Sequence, residues 1–313
     1  MNDEIATAVH ILKGQYFQLI EPRIITSPPA SILHRPEFQE ALYDALFSPF
    51  ASSYPPPPAY TRRVLKWLIS AIESSGEEEV EVNSDLLELY TELLFVPNKP
   101  ADPTQKSHVT YTLPGDLLPI TILENPHLIS GLGTTGLRTW EAALALGEWL
   151  LQNPPAPTDR ILELGTGTGL VALIAARLGV KDILATDGDD GVCEGLRKTV
   201  ELNGLQDVMR VEQRWWAQEA VVGADLVLGA DVTYDAAVIP FLVKELADLL
   251  EENPKARVVI SATIRNEETF RVMRESCEQM GLTYKETVYQ RPEKTTFWYT
   301  VGTEIRIVEV GKK

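Results

Sequence analysis

Ile161-Leu-Glu-Leu-Gly-Thr-Gly-Thr-Gly-Leu170 is the stretch from which the rest of the chain is best read. An apolar run broken only by Glu163 leads into three glycines alternating with threonines. The residues that follow, Val171 to Leu178, are mostly Ala, Leu and Ile, which suits a helix. Strand, glycine loop and helix in this order form the nucleotide-binding turn of an α/β sheet. Glycine serves there because the backbone turns tightly and a ligand lies against it with no Cβ in the way.

The spacing then selects the ligand. A dinucleotide fingerprint runs G-x-G-x-x-G, whereas this loop runs Gly165-x-Gly167-x-Gly169. Glu163 stands two residues before the first glycine, where a carboxylate would repel a pyrophosphate. A cofactor with a cationic amino-acid end gains from that carboxylate. S-adenosyl-L-methionine carries an ammonium and a sulfonium and no phosphate, so the loop reads as a methyl-donor site. The next strand, Asp182 to Asp187, ends in an acid placed to accept the ribose hydroxyls. A nicotinamide cofactor also has a ribose there, so the choice rests on Glu163 and the glycine spacing.

The chain has 313 residues, 44% of them hydrophobic and 23% charged, which is the balance of a soluble globular protein. Its net charge of −17 opposes binding to nucleic acid or anionic membranes and favours a basic face on a partner. Two cysteines, Cys193 and Cys277, suggest a reducing compartment rather than a disulfide framework. The N-terminal residues lack the basic flank and apolar core of a signal peptide. No apolar run reaches the ~18 residues of a membrane span. A cytoplasmic monomer is expected. His10, His34, His108 and His127 are scattered, so no metal-ligand spacing appears.

Residues 1–105 read as a helical domain. Ile5, Val9, Leu12, Tyr16 and Leu19 form one stripe, and a proline-rich break, EPRIITSPPAS, follows. Pro36 opens a second helix with Phe38, Leu42 and Leu46 on one face. The tract Ser53-Tyr-Pro-Pro-Pro-Pro58 is a rigid connector. A third helix carries Val64, Leu68 and Ile72, and ends at Gly76 and a run of glutamates. Ser84 caps a fourth, with Leu87, Tyr90 and Leu94. This domain is either a substrate-docking module or a stabilising cap. A polar linker at 98–107 precedes a hairpin of His108–Leu113 and Leu118–Leu123, the leading part of a second domain spanning 106–313.

In that domain, Gly131-Leu-Gly-Thr-Thr-Gly-Leu-Arg-Thr-Trp-Glu-Ala-Ala143 leads into an apolar helix from Leu144 to Leu151. Trp140 and Glu141 start the helix and face the cleft, unless Trp140 is simply a core residue. From Ile161 onward strands and helices alternate, which gives a parallel sheet. The third and fourth strands lie near Val208–Val211 and Asp225–Gly229. Asp235 caps a helix to about Glu251. A fifth strand at Arg257–Ser261 and a helix from Asn266 to Gly281 follow. Two strands without a helix between them, Tyr284–Tyr289 and Glu304–Val310, end the chain and add an antiparallel edge. Seven strands ending this way fit a class I, Rossmann-like methyltransferase better than a dehydrogenase. Asp231 and Tyr234 follow the fourth strand, at the sheet end where ligands bind. Trp215 and Trp216 follow the third and either stack on adenine or cover apolar surface. Lys294 to Tyr299 borders the substrate entrance or packs in the core.

The loop E-L-G-T-G-T-G, the D-x-x-Y of Asp231-Val-Thr-Tyr234 and the upstream T-G-L-R-T-W-E-A-A together resemble the seven-β-strand protein-lysine methyltransferase family. The Thr-Thr-Gly-Leu-x-Thr-Trp-Glu-Ala-Ala form, with a helical N-terminal extension, is similar to its elongation factor 2 lysine methyltransferase branch. The resemblance covers about 130–313 closely and 1–100 loosely. It implies that Glu163, Gly165 and Gly167 line the cofactor, that Asp187 holds its ribose, and that Trp140 and Trp216 lie beside it. Thr166 and Ala230 complete the expected cofactor-binding set, and Asp231 and Tyr234 flank the lysine channel as catalytic residues. It also implies transfer of methyl to a lysine ε-amine of elongation factor 2, with S-adenosyl-L-homocysteine as the product. Many relatives have Gly where this chain has Ala217, a change expected to matter little. A methyltransferase for a small molecule or another protein residue, and a non-catalytic cofactor-binding scaffold, are the alternatives. Intact Glu163, Asp187, Asp231 and Tyr234 argue against the scaffold.

The chemistry sets a requirement on the site. Only a neutral amine has the attacking lone pair, and a lysine of pKa near 10.4 is neutral about once in 2,500 at pH 7, a cost of about 4–5 kcal/mol. Desolvation lowers that pKa, whereas a nearby carboxylate raises it. Asp231 is therefore expected to capture and orient the lysine, Tyr234 to form channel wall, and alignment of nitrogen, methyl and sulfur to supply most of the acceleration.

Overall fold

The computed structural model describes residues 3–74, 81–97, 105–126, 135–218, 223–300 and 302–313. Gly131–Thr134, the glutamate run after Gly76 and most of the 98–107 linker lie outside the described residues. The chain divides into two compact units, Met1–Thr112 and Leu113–Lys313.

The first unit contains α1 (Asp3–Phe17), α2 (Ala30–Leu33), α3 (Pro36–Leu46), α4 (Pro58–Glu73), α5 (Ser84–Leu94) and the strand β1 (Ser107–Tyr111). The helices follow the expected stripes. Ile5, Val9, Leu12 and Tyr16 of α1, Phe38, Leu42 and Leu46 of α3, and Val64, Leu68 and Ile72 of α4 are all buried. Fully burying each such aliphatic or aromatic side chain contributes about 1.5–3 kcal/mol. Leu19 leaves the helix with a left-handed backbone. The buried tyrosines have partners: Tyr16 Oη lies 2.8 Å from Thr61 Oγ1, and Tyr60 Oη donates to the Ile20 carbonyl at 2.8 Å. Two expectations for α5 change. Its N-cap is Asn83, whose side chain accepts from the Asp85 and Leu86 amides, so Ser84 is the first helical residue. Its inward face is Leu86, with Leu89 and Leu93 half-buried, whereas Leu87 and Leu94 are exposed. The i, i+3, i+7 pattern starts one residue earlier than expected. β1 belongs to this unit, with Val109 and Tyr111 buried and His108 against the Tyr54 ring.

The second unit begins with β2 (Ile120–Glu124) and α6 (Glu141–Gln152). The alternating run follows as β3 (Arg160–Leu164), α7 (Leu170–Arg177), β4 (Asp182–Asp187), α8 (Asp190–Leu202), β5 (Met209–Gln213), β6 (Leu226–Ala230), α9 (Ile239–Glu252), β7 (Arg257–Thr263), α10 (Glu267–Gln279), β8 (Leu282–Val288) and β9 (Ile305–Lys312). The sheet order is β5-β4-β3-β6-β7-β9-β8. β5 through β7 are parallel, and β9 runs antiparallel to both β7 and β8. This is the class I methyltransferase sheet. Its inner strands are apolar on both faces, as parallel strands covered on both sides must be. α7 is buried from Leu170 to Ala176, which is why its sequence shows no polar face.

α9 also departs from expectation. It starts at Ile239, with Pro240 in its first turn, and Asp235 accepts from the Ala237 amide in the preceding turn. The fixed φ of proline suits the first helical turn, so the helix starts there and not at Asp235. Asn266 does cap α10, accepting from the Glu268 amide. The chain order reverses between β3 and β6, and the carboxyl ends of these neighbours open the cleft where such sheets bind ligands.

Candidate active site

The glycine loop is built by conformations that other residues resist. Gly165, Gly167 and Gly169 have φ of +61°, +54° and +81°. A Cβ at Gly165 would fall 2.7 Å from Val232 Cγ1, and one at Gly169 would fall 2.3 Å from Leu196 Cδ1. Glu163 lies beneath this loop rather than on its surface. It is 1% exposed, and its Oε2 accepts from Thr166 Oγ1 at 2.7 Å and from the Ala172 amide at 3.1 Å. Burial, offset by those two hydrogen bonds and reinforced by nearby Asp187, pushes its carboxyl up to about 8. Glu163 thus joins the loop to the first turn of α7, reaching the loop from beneath and not from the cavity side.

Asp187 ends β4 and faces the loop. Its Oδ2 accepts from the Gly167 amide at 3.0 Å and its Oδ1 from the Asp189 amide at 3.1 Å. Burial raises its pKa, partly opposed by those amides. The upstream loop closes the other side. Thr139 Oγ1 and Thr168 Oγ1 are 2.7 Å apart, and the Thr139 amide donates to buried Glu124. Trp140 precedes α6, with its indole N–H donating to the Thr135 carbonyl at 3.0 Å. Two guanidiniums approach its ring, Arg138 at 4.2 Å and Arg265 at 5.0 Å from the centroid.

After β5, buried Arg214 and Glu245 approach to 3.6 Å, and Glu245 also accepts from the Ala217 amide at 2.8 Å. That pair fixes the turn carrying Trp215 and Trp216. Trp216 packs on the sheet core, and a Cβ on Gly165 would lie 3.4 Å from its ring. Trp215 lies over Gly188 and is exposed. Ala217 has φ +57°, a left-handed backbone that favours Gly. The expectation that the extra methyl matters little is therefore revised: it carries a backbone strain.

Asp231 follows β6 with φ +56°, a conformation Asp tolerates better than most residues. Its Oδ1 accepts from the Thr263 amide at 2.9 Å. Its Oδ2 accepts from Thr263 Oγ1 at 3.3 Å and pairs with Arg265 Nη2 at 3.0 Å. Tyr234 is exposed. In the segment before β9, Phe297 is fully buried against Gly147 while Tyr299 reaches the cleft. Glu148 holds that segment by accepting from Thr295 and Thr296.

These groups share one cavity of about 1140 Å³. Of the expected residues, Trp140, Gly165, Thr166, Gly167, Asp187, Trp216, Ala230, Asp231 and Tyr234 line it, and Glu163 does not. The sequence reading missed Arg138 and Arg265, which also line it. Arg138 lies within the quoted motif and could have been found there. Arg265 follows β7 and carries no motif signal.

The lysine methyltransferase family model matches residues 128–277. Protein-lysine N-methyltransferase EFM3 of Chaetomium thermophilum is 38% identical over 326 residues, covering 95% of this chain and 96% of that protein. The chain belongs to the protein-lysine methyltransferase family. EFM3 of Saccharomyces cerevisiae is 35% identical, covering 78% of this chain and 76% of that one. Protein-lysine N-methyltransferase EEF2KMT of Homo sapiens is 29% identical, covering 97% and 93%. The enzyme uses S-adenosyl-L-methionine, which when bound supplies a methyl on a sulfonium and leaves as S-adenosyl-L-homocysteine. The cavity suits this cofactor: the cradle at Gly165 has no room for a Cβ, and Asp187 faces the loop where a carboxylate would accept from a ribose.

Proposed function

We propose that this enzyme methylates a lysine ε-amine of elongation factor 2. In this reading Gly165, Thr166, Gly167 and Ala230 line the cofactor and Asp187 accepts from its ribose hydroxyls. Trp140 and Trp216 flank it, and Asp231 and Tyr234 meet the incoming lysine. The observation that carries the reading is convergence: the glycine loop, Asp187 and the D-x-x-Y turn come from three different strand ends and line a single cavity. The motif resemblance to the elongation factor 2 branch supports the choice of substrate, as do relatives named EFM3 and EEF2KMT that align along most of the chain. Tyr234, exposed at the cavity edge, suits a residue that meets a side chain arriving on another protein.

The test is transfer of radiolabelled methyl from S-adenosylmethionine into a eukaryotic cytosolic lysate, read by gel. One labelled band at the mass of elongation factor 2, lost with Asp231→Asn, is expected. One band elsewhere would discard the substrate, and label unaffected by Asp231→Asn would discard the site.

A further inference from the structure

Arg265 places a permanent positive charge beside the carboxylate expected to meet the lysine. Its Nη2 is 3.0 Å from Asp231 Oδ2 and 3.9 Å from Glu141 Oε2, and its guanidinium lies on the Trp140 ring. The Asp231 side chain is 10% exposed, so the pair is poorly screened on the Asp side, while Arg265 keeps 43% exposure toward the cavity. With Thr263 donating to both oxygens, Asp231 is held in one orientation and its charge is balanced before any substrate arrives.

That arrangement bears on the central difficulty of lysine methylation. An unpaired carboxylate would hold the substrate as ammonium, which has no lone pair, and would raise its pKa. A guanidinium next to the carboxylate acts in the opposite direction. Either an arginine or a lysine supplies that charge near pH 7, and a guanidinium keeps it through the whole range in which an amine titrates.

We propose that Arg265 is a positioning residue of the methyl-transfer reaction, neutralising and orienting Asp231 so that the target lysine is held there as the free amine. The incoming ammonium gives one proton to water, and the resulting amine keeps an N–H hydrogen bond to Asp231 and directs its lone pair at the methyl carbon. The new C–N bond takes the methyl, and the old bonding pair stays on sulfur. The charged and titratable groups around Arg265 are Asp231 and Tyr234 after β6, Glu141 at the start of α6, Arg138 on the same Trp140 ring system, and Tyr299 before β9. Glu141 is shared between Arg138, at 3.1 Å, and Arg265, so the cluster counts two cations against two carboxylates. The inference rests on the assignment of Asp231 to the lysine channel.

The test is the pH dependence of single-turnover methyl transfer to purified elongation factor 2 by the wild type, Arg265→Met and Arg265→Lys. The acidic limb should move up by about one pH unit in Arg265→Met, with about tenfold slower transfer near pH 7 that recovers in alkali. Arg265→Lys should keep the wild-type limb. A loss equal at every pH would mean a merely structural role and overturn the proposal. A second readout needs no protein substrate. n-Butylammonium, a mimic of the lysine side chain, is titrated near pH 7 and followed by the Trp140 indole N–H resonance. It should bind about tenfold more tightly to Arg265→Met than to wild type, and adding Asp231→Asn should remove the gain. Equal or weaker binding would overturn the proposal. Normal turnover in Asp231→Asn would overturn the site assignment itself. An inactive Asp231→Asn with an unmoved limb in Arg265→Met would defeat only the role of Arg265.

Discussion

Glu163 makes the stability of the enzyme depend on pH. Its folded-state carboxyl is pushed up to about 8, while an unfolded glutamate titrates near 4.5. Below the lower value both states are protonated and the buried acid is accommodated fully. As pH rises toward about 8 the unfolded chain ionises first, so stability falls, by up to ~1.4 kcal/mol per unit of separation. Glu163→Gln can still accept from Thr166 and Ala172 but does not titrate. Urea unfolding at a series of pH values should show wild type losing stability relative to this variant between about pH 5 and 8. A constant difference would mean that Glu163 is ionised when folded. The sequence identified Glu163 as unusual because a carboxylate in an apolar strand is conspicuous. It did not reveal the role, since the partners at Thr166 and Ala172 are set by the path of the loop. That Asp231 and Tyr234 line the cavity was legible for the opposite reason: they follow a strand end, and such sheets open their cleft beyond the strand ends. Arg265 was not, because only the fold brings the end of β7 beside the end of β6.

The loops after β3 and β5 are shaped by backbone constraints that can be tested singly. Gly169→Ala forces a Cβ onto the Leu196 side chain and an Ala into left-handed geometry. It should lower stability by about 2–4 kcal/mol and weaken S-adenosylmethionine binding measured by calorimetry. Ala217→Gly is the reverse case. Relieving the left-handed Ala should raise stability by up to about 1 kcal/mol in urea, with the glycine's extra unfolded-state entropy offsetting part of the gain. No gain would indicate that the turn pays little for its Ala. Glu245→Ala removes the acceptor of the Ala217 amide and a partner of buried Arg214, and should cost about 1–3 kcal/mol. Element types and order were readable because strands and helices here have strong apolar patterns. Their starts were less so. Asn83 and Ser84 are both good caps, and Asp235 sits in a turn that the proline at 240 separates from α9. In each case the choice depends on neighbouring geometry, not on the cap residue alone.

At the scale of the whole molecule, the net charge of −17 favours a substrate with a basic face. Attraction of that kind is screened within about 10 Å at 0.1 M salt, so KM for the protein substrate should rise with ionic strength while kcat changes little. A salt-independent KM would assign the charge to solubility alone. Among the described residues, those lining the cavity fall between 135 and 305, all within the second unit, so the chemistry was legible from that part of the sequence. The helical unit was legible as helices and core but not as function, since apolar stripes report packing and not partners. No described helix is long and apolar enough to cross a membrane. The central claim is that this cavity moves a methyl from S-adenosylmethionine to a lysine of elongation factor 2 through Asp231. The most direct measurement is mass spectrometry of purified elongation factor 2 after incubation with S-adenosylmethionine and either wild type or Asp231→Asn. The account predicts methyl increments on a lysine with the wild type and none with the variant, at equal cofactor binding. An unmodified factor, or equal modification by both proteins, would contradict it.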